Sequence, residues 1–169
     1  MGLVNVFSSL ALLPLIEERK GIIRRLLKKH PNISEAYLEE RLKKKSTWAY
    51  KELVYLLRIG LRDGVHILEM KGSWAGAFGW PQFLPSSYWQ FAVDGNQDNK
   101  IELNEPEDSI ASIANYLKNK GWRRDLDEKN KKRILWSYNM SGFYVDAVFA
   151  VANRLSSQDA VDKRGRFSS

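Results

Sequence analysis

The sequence predicts a mainly helical domain, interrupted once near its centre by an irregular segment. Three observations carry this. Apolar residues recur at helical spacing over most of the 169 residues. Stop and start signals punctuate those stretches, with Gly64 and Gly121 after two of them and Pro106 opening another. The central run "KGSWAGAFGWPQFLPSSYWQFAVDGNQDNK", Lys71 to Lys100, fits neither a helical nor a strand period.

Val4 to Leu13 reads as one apolar helix that stops near Pro14. "LIEERKGIIRRLLKKH" follows, with Leu15, Ile22, Ile23 and Leu26 in amphipathic spacing. "PNISEAYLEERLKKKS" starts a third helix, with Asn32 and Glu35 in a capping-box-like arrangement. "STWAYKELVYLLRIGLRDG" is a fourth and the most apolar, closed by Gly64. Beyond the central run, "NEPEDSIASIANYLKNKG" is a well-marked helix. Asn104 can cap it, Pro106 suits its first turn, and Gly121 ends it. Ile110, Ile113, Ala114 and Leu117 form its apolar face. "KNKKRILWSYN" and "SGFYVDAVFAVANRL" supply two more helices. A short β pairing is expected only near Ile101. Residues 1–156 read as a single domain and residues 157–169 as a frayed tail.

Composition narrows the function classes. Lys and Arg number 27 against 20 Asp and Glu, a net charge of +7 that favours anionic partners: nucleic acid, anionic lipid or an anionic polysaccharide such as cell wall. The absence of cysteine excludes disulfide and thiolate chemistry. His30 and His66 are the only histidines, too far apart in sequence to suggest a histidine metal site. No apolar run reaches the roughly 20 residues of a membrane span. The apolar start lacks a basic n-region and a small-residue cleavage site, and Val6 stands where a myristoylation signal needs Ser or Thr. It reads as a buried helix. The basic runs Arg24-Arg25, Lys28-Lys29, Lys43 to Lys45 and Lys131 to Arg133 read as solvated helix faces. No helix-turn-helix spacing or aromatic RNA motif supports a nucleic-acid surface.

The central run carries the chemistry. Gly72, Gly76 and Gly79 allow tight turns and close approach of a ligand. Trp74, Phe78, Trp80, Phe83, Tyr88, Trp89 and Phe91 supply flat apolar surface, and Ser73, Gln82, Ser86 and Ser87 supply hydroxyl and amide groups. A groove for sugar rings needs both, because a sugar has apolar faces and hydroxyl edges. An aromatic core with caps at Ser86 and Ser87 would use the same residues, and composition alone leaves both readings open. Asp94, Asn96 and Asp98 then alternate ahead of the Lys100 carbonyl, in the manner of a Ca²⁺ loop built from hard oxygen donors. Asn99 takes the place of that loop's sixth-position glycine, since Asn tolerates the left-handed conformation. Glu105 falls at the twelfth position, and Asp108 lies further on. A polar turn with Asx motifs is the other reading.

These stretches resemble one family. "KGSWAGAFGWPQFLPSSYWQFAVD", the Asp/Asn loop and "EDSIASIANYLKNKGW" look like the lytic murein transglycosylases of the membrane-bound B type. The typical pattern there is KGS-[FW]-AGA-x-G-x-x-QF-x-PSSY, a D-x-D-G-like loop, and a helix ending in A-N-Y before G-W. "YNMSGFYVDAVFAVANRL" resembles the family's closing segment, and "GLVNVFSSLALL" resembles the helix after its catalytic glutamate. The resemblance spans nearly the whole chain and is strongest from Lys71 to Trp122.

The resemblance implies a lysozyme-like α domain that cleaves the β-1,4 bond between N-acetylmuramic acid and N-acetylglucosamine in peptidoglycan. One glutamate protonates the leaving oxygen and then takes a proton from the muramic C6 hydroxyl, closing a 1,6-anhydro ring. This differs from the two-carboxylate scheme of glycosidases. Matched motif by motif, Ser73, Gln82 and Tyr116 fall on the cleft, and Tyr138, Asn139 and Tyr144 fall on the closing motif lining it. Asp94, Asn96, Asp98, the Lys100 carbonyl and Asp108 fall on the metal loop, whose longer spacing in the family favours Asp108 over Glu105. A structural Ca²⁺ is expected, with no cofactor for catalysis. The family's catalytic glutamate belongs to an E-[ST]-x-[FW]-G motif and is expected upstream of Met1. Glu17, Glu18, Glu52 and Glu69 read instead as exposed helix-face charge. The alternative is therefore a non-catalytic glycan-binding module. The expected partner is the peptidoglycan strand, with no nucleic acid, and the expected location is the periplasm or cell envelope.

Overall fold

A computed structural model describes residues 4–12 and 16–165, with the side chains of 16–20, 22 and 157–165 left aside. The expected helix stop at Pro14, the amphipathic positions Leu15 and Ile22, and the side chains of Glu17 and Glu18 lie outside the described residues. The chain divides into two compact units, Met1–Tyr116 and Leu117–Ser169.

The first unit opens with a strand. β1 (Val4–Asn5) pairs antiparallel with β2 (Lys71–Gly72), Val4 opposite Gly72 and Asn5 opposite Lys71. Single bridges extend the ladder from Gly72 to Phe78 and from Phe78 to Phe83. The β element thus lies at the start of the central run, where the sequence reading had expected it near Ile101. Side chains explain the difference. The Glu102 N–H donates to the Asp108 carboxylate at 2.6 Å and the Lys100 N–H donates to Asp98 at 2.9 Å, so both donors are spent before any ladder can form. The first helix also starts later than expected. α1 (Val6–Leu12) begins after Asn5, whose side-chain oxygen accepts the Ser8 N–H at 2.8 Å as a cap.

α2 (Ile16–Lys29) is followed by α3 (Glu35–Asp63), 29 residues without a break. The two helices expected on either side of Ser46 are one. No Gly or Pro falls within residues 35–59, and the Thr47 hydroxyl turns back to the Lys43 carbonyl at 3.0 Å. Ser34, not Asn32, caps it by accepting the Tyr37 N–H, and Gly64 ends it in the left-handed conformation as expected. α3 buries Ala49, Glu52, Leu56 and Ile59, spaced three, four and three residues apart on one face. α1, α2 and α4 (Pro85–Phe91) all pack on α3. α4 forms inside the run that showed no regular period. α5 (Pro106–Asn119) starts at its proline, so Glu105 rather than Asn104 precedes it, and the chain turns away at Gly121 with φ 91°.

The second unit holds α6 (Glu128–Tyr138) and α7 (Gly142–Gly165), which pack on each other. Asp127 caps α6 by accepting the Asn130 N–H. Ile134, Leu135 and Val145 are buried. Lys132 joins the two helices, 2.9 Å from Glu128 and 3.2 Å from Asp146. Of the tail expected from residue 157 onward, the backbone is helical to Gly165.

Candidate functional site

Gln82 stands at the end of a tight turn. Phe78 and Phe83 exchange backbone hydrogen bonds of 2.9 and 3.0 Å, leaving residues 79–82 to close the loop. Gly79 lies at φ 68° against Leu103, and a Cβ there would come within 2.4 Å of the Leu103 Cβ, so only glycine fits. Gln82 itself has φ 52°, a strained backbone for a non-glycine residue. Its backbone and side-chain N–H groups both donate to the Gly79 carbonyl, at 3.1 and 2.8 Å. The side chain is exposed, and Trp80 in the same turn is 64% exposed.

Ser73 closes the turn before this one. Its Oγ accepts the Ala77 N–H at 3.1 Å, and its backbone carbonyl accepts from Gly76. Trp74 beside it is 66% exposed, with the Lys45 ammonium 5.9 Å from its ring centre. Tyr116 is buried and packs on the residue next to Gln82. Its ring lies 6.0 Å from Phe83 and edge-on to Phe91 at 4.9 Å.

In the second unit, Tyr138, Asn139 and Tyr144 gather at the turn between α6 and α7. The two tyrosine rings are parallel within 6°, with centroids 6.3 Å apart. Asn139 ends α6 with its N–H donated to the Leu135 carbonyl, and its own carbonyl accepts from Ser141. Burial pushes the Tyr144 hydroxyl pKa up.

The Asp/Asn loop is held by its own carboxylates. Asp94 accepts the N–H groups of Gln97, Asp98 and Asn99 at 2.6 to 3.2 Å. Asn99 lies at φ 69°, the left-handed conformation expected of it, and Gln97 at 66°. Asp108 is 1% exposed, and its two oxygens accept from Gly95 at 2.7 Å and Glu102 at 2.6 Å, tying both ends of the loop to α5. Gly95 is needed there because a Cβ would sit 2.4 Å from the Glu107 carbonyl oxygen. The oxygens of Asp94, Asn96 and Asp98 suit a hard cation in chemistry. Among the described residues, however, no three acidic or His side chains gather as metal ligands. Asp108 acts here as a strut.

Two polar features escaped the sequence reading. Glu52, read as exposed charge, is 5% exposed on the core stripe of α3. Its Oε2 accepts the Ser86 N–H and its Oε1 the Ser86 hydroxyl, each at 2.8 Å. Its spacing from Ala49 and Leu56 was the available signal. Further along α3, the Tyr88 hydroxyl donates to Asp63 at 2.9 Å and lies 3.2 Å from the Ile101 carbonyl. Arg62 grips Asp63 at 2.6 and 2.8 Å and covers the Trp89 ring at 4.4 Å. Burial pushes the Asp63 carboxyl pKa up, but the bonds from Arg62 and Tyr88 outweigh it and hold the group below the usual carboxylate range. Burial and the Asp63 charge push the Tyr88 hydroxyl well above its ordinary value. Glu69 is exposed, 4.0 Å from His66.

The fold aligns with those of solved lytic transglycosylases. The Escherichia coli lytic transglycosylase Slt35, solved in complex with calcium, aligns with a TM-score of 0.56 and 31% identity over 75% of this chain and 33% of that one. SltB3 from Pseudomonas aeruginosa, solved with NAG-anhNAM-pentapeptide, gives a TM-score of 0.53 and 32% identity over 75% of this chain and 27% of that one. In sequence, 55 residues are 56% identical to the membrane-bound lytic murein transglycosylase B of Escherichia coli, 32% of this chain and 15% of that protein. Residues 1–129 match the transglycosylase SLT domain family, and the chain belongs to that family of lysozyme-like lytic transglycosylases. It spans about a third or less of the length of these relatives. Among the described residues, no helix is long and apolar enough to cross a membrane.

Proposed function

We propose that this chain binds peptidoglycan glycan strands and forms the substrate-holding part of a lytic transglycosylase. The reaction is cleavage of the MurNAc–GlcNAc β-1,4 bond with closure of a 1,6-anhydro ring. The observation that carries the reading is Gln82, exposed in a strained left-handed backbone beside the exposed Trp80. Such a residue offers an amide to sugar hydroxyls next to a face for the ring. Ser73, Gln82 and Tyr116 in the first unit, and Tyr138, Asn139 and Tyr144 in the second, are the proposed glycan contacts. Peptidoglycan fragments in the SltB3 structure support this class of ligand. The proposed place of action is the cell envelope, with no nucleic acid as partner.

The proposed proton carrier is a glutamate in an E-[ST]-x-[FW]-G segment, as the family resemblance implies, and no such segment occurs in the 169 residues. A binding-only reading of the 169 residues by themselves rests on a specific observation: both oxygens of Glu52 are taken up by Ser86. The test is digestion of purified sacculi. The 169-residue chain is expected to bind but to release little 1,6-anhydro muropeptide. A chain extended by that segment is expected to be faster by about 10² to 10⁴-fold, the usual worth of a positioned acid and base. Equal rates would overturn the assignment.

We also propose that the loop takes a structural Ca²⁺ through Asp94, Asn96, Asp98 and the Lys100 carbonyl, with Asp108 bracing it or joining the ligands. The calcium-bound Slt35 supports this. Ca²⁺ should raise the melting temperature, because a ligand of the folded state alone stabilises it by mass action. Asp98→Ala should abolish the rise. Asp108→Asn should lower the melting temperature even without Ca²⁺, since its NH2 group cannot accept one of the two N–H groups that Asp108 ties to α5. No rise with Ca²⁺ in the parent chain would return the loop to a self-closed polar turn.

A further inference from the structure

We propose that Glu52 is a positioning residue for the candidate glycan site: by clamping Ser86 it fixes the start of α4 and, through it, the turn that presents Gln82. The role at the glycan rests on the function proposed above; the clamp is read from geometry. Glu52 occupies a core position between Ala49 and Leu56 and is 5% exposed. A carboxylate in such surroundings is tolerated only when its oxygens are met by donors. Both are met, and both by Ser86, with N–H and O–H each at 2.8 Å.

α4 needs that donor–acceptor pair. Its N-cap is Leu84, which makes no side-chain cap bond, and Pro85 has no N–H. The Ser86 N–H is the first donor of the helix that requires an acceptor. Glu52 supplies it from 34 residues away in sequence. Between Ser86 and Gln82 lie only Phe83, Leu84 and Pro85. Phe83 is 2% exposed and holds the other side of the turn through its paired bonds with Phe78. The position of Gln82 is thus set at one end by the ladder to Phe78 and at the other by the α4 anchor. The carboxylate works as an acceptor and, at 5% exposure, is almost wholly enclosed.

The experiment uses the 169-residue chain with Glu52→Ala, Glu52→Gln and Ser86→Ala. Amide hydrogen exchange is read at Phe78 and Phe83, with Leu56 and Ile59 reporting the general change in stability. Glu52→Ala and Ser86→Ala should speed exchange at Phe78 and Phe83 by about tenfold beyond any change at Leu56 and Ile59. Glu52→Gln can accept the Ser86 N–H and donate to its hydroxyl, so it should stay close to the parent. Affinity for N-acetylglucosamine oligomers should fall in Glu52→Ala and Ser86→Ala and stay near that of the parent in Glu52→Gln. A uniform change at all four amides, or none, overturns the clamp. An unchanged affinity in a folded Glu52→Ala overturns the positioning role, and loss in Glu52→Gln equal to that in Glu52→Ala assigns the effect to charge instead. Where Glu52→Ala does not fold, Ser86→Ala, which removes the hydroxyl bond and keeps the N–H bond, decides by whether exchange at Phe78 and Phe83 rises above that at Leu56 and Ile59. A parent chain with no glycan affinity sinks the glycan reading, while the exchange pattern still judges the clamp.

Discussion

At the scale of single residues, Gln82 separates conformational cost from use. A left-handed backbone costs a non-glycine residue about 1–2 kcal/mol. The bond from its amide to Gly79 offsets part of this. Gln82→Gly should therefore leave the melting temperature nearly unchanged, while Gln82→Ala, which keeps the strain and loses the bond, should lower it. Both should weaken glycan binding by about tenfold, or about 1.4 kcal/mol, in a calorimetric titration. A glycine variant that binds as well as the parent would remove Gln82 from the site. Asn99 makes the complementary case, with φ 69° and an exposed side chain. Asn99→Gly should be tolerated and Asn99→Val should cost about 1–2 kcal/mol in denaturant unfolding. Asn99 was legible in the sequence because Asn at a glycine's place in an Asp-rich loop announces the left-handed region. Gln82 and Gln97 were not, because Gln has no such habit. Glu52 was misread because its partner lies on a different element, and a charge on a helix is usually solvated.

At the scale of elements, ends were easier to read than continuity. Gly64, Gly121 and Pro106 act through their own backbones, so their meaning is local and the structure bears it out. The two helices expected on either side of Ser46 are one, and the Thr47 hydroxyl, bonding back to its own helix, leaves that helix intact. α4 was hidden because it is seven residues long and its start is satisfied from α3. The α3–α4 contact also carries a pH dependence. The folded pKa of Asp63 lies below its unfolded value. Its contribution is therefore present above the unfolded carboxylate range, near about pH 4, and is lost as the pH falls through the folded value. Asp63→Asn should flatten the fall in melting temperature between about pH 6 and pH 2, and an equal fall in both proteins would remove Asp63 from the account.

At the scale of the whole molecule, the family was legible because its motifs run almost unbroken from Lys71 to Trp122, inside the matched residues 1–129. The small sheet was not, because β1 and β2 stand far apart in sequence and each has two residues. α3 is the member on which α1, α2 and α4 pack. At 1.5 Å per residue, spin labels at Ala36 and Leu61, both exposed, should lie on the order of 37 Å apart along the axis. The chain has no cysteine, so two introduced thiols suffice. One narrow distance is expected, and a broad or shortened one would reveal a break near Ser46. Along this rod α4 is fastened twice, at Ser86 by Glu52 and at Tyr88 by Asp63. A beam pinned at one point swings, and pinned at two it does not. With both pins in place, α4 is a fixed shelf, and the turn ahead of it is cantilevered from an immobile support. With either pin drawn, the shelf becomes a door whose hinge is the pin that remains.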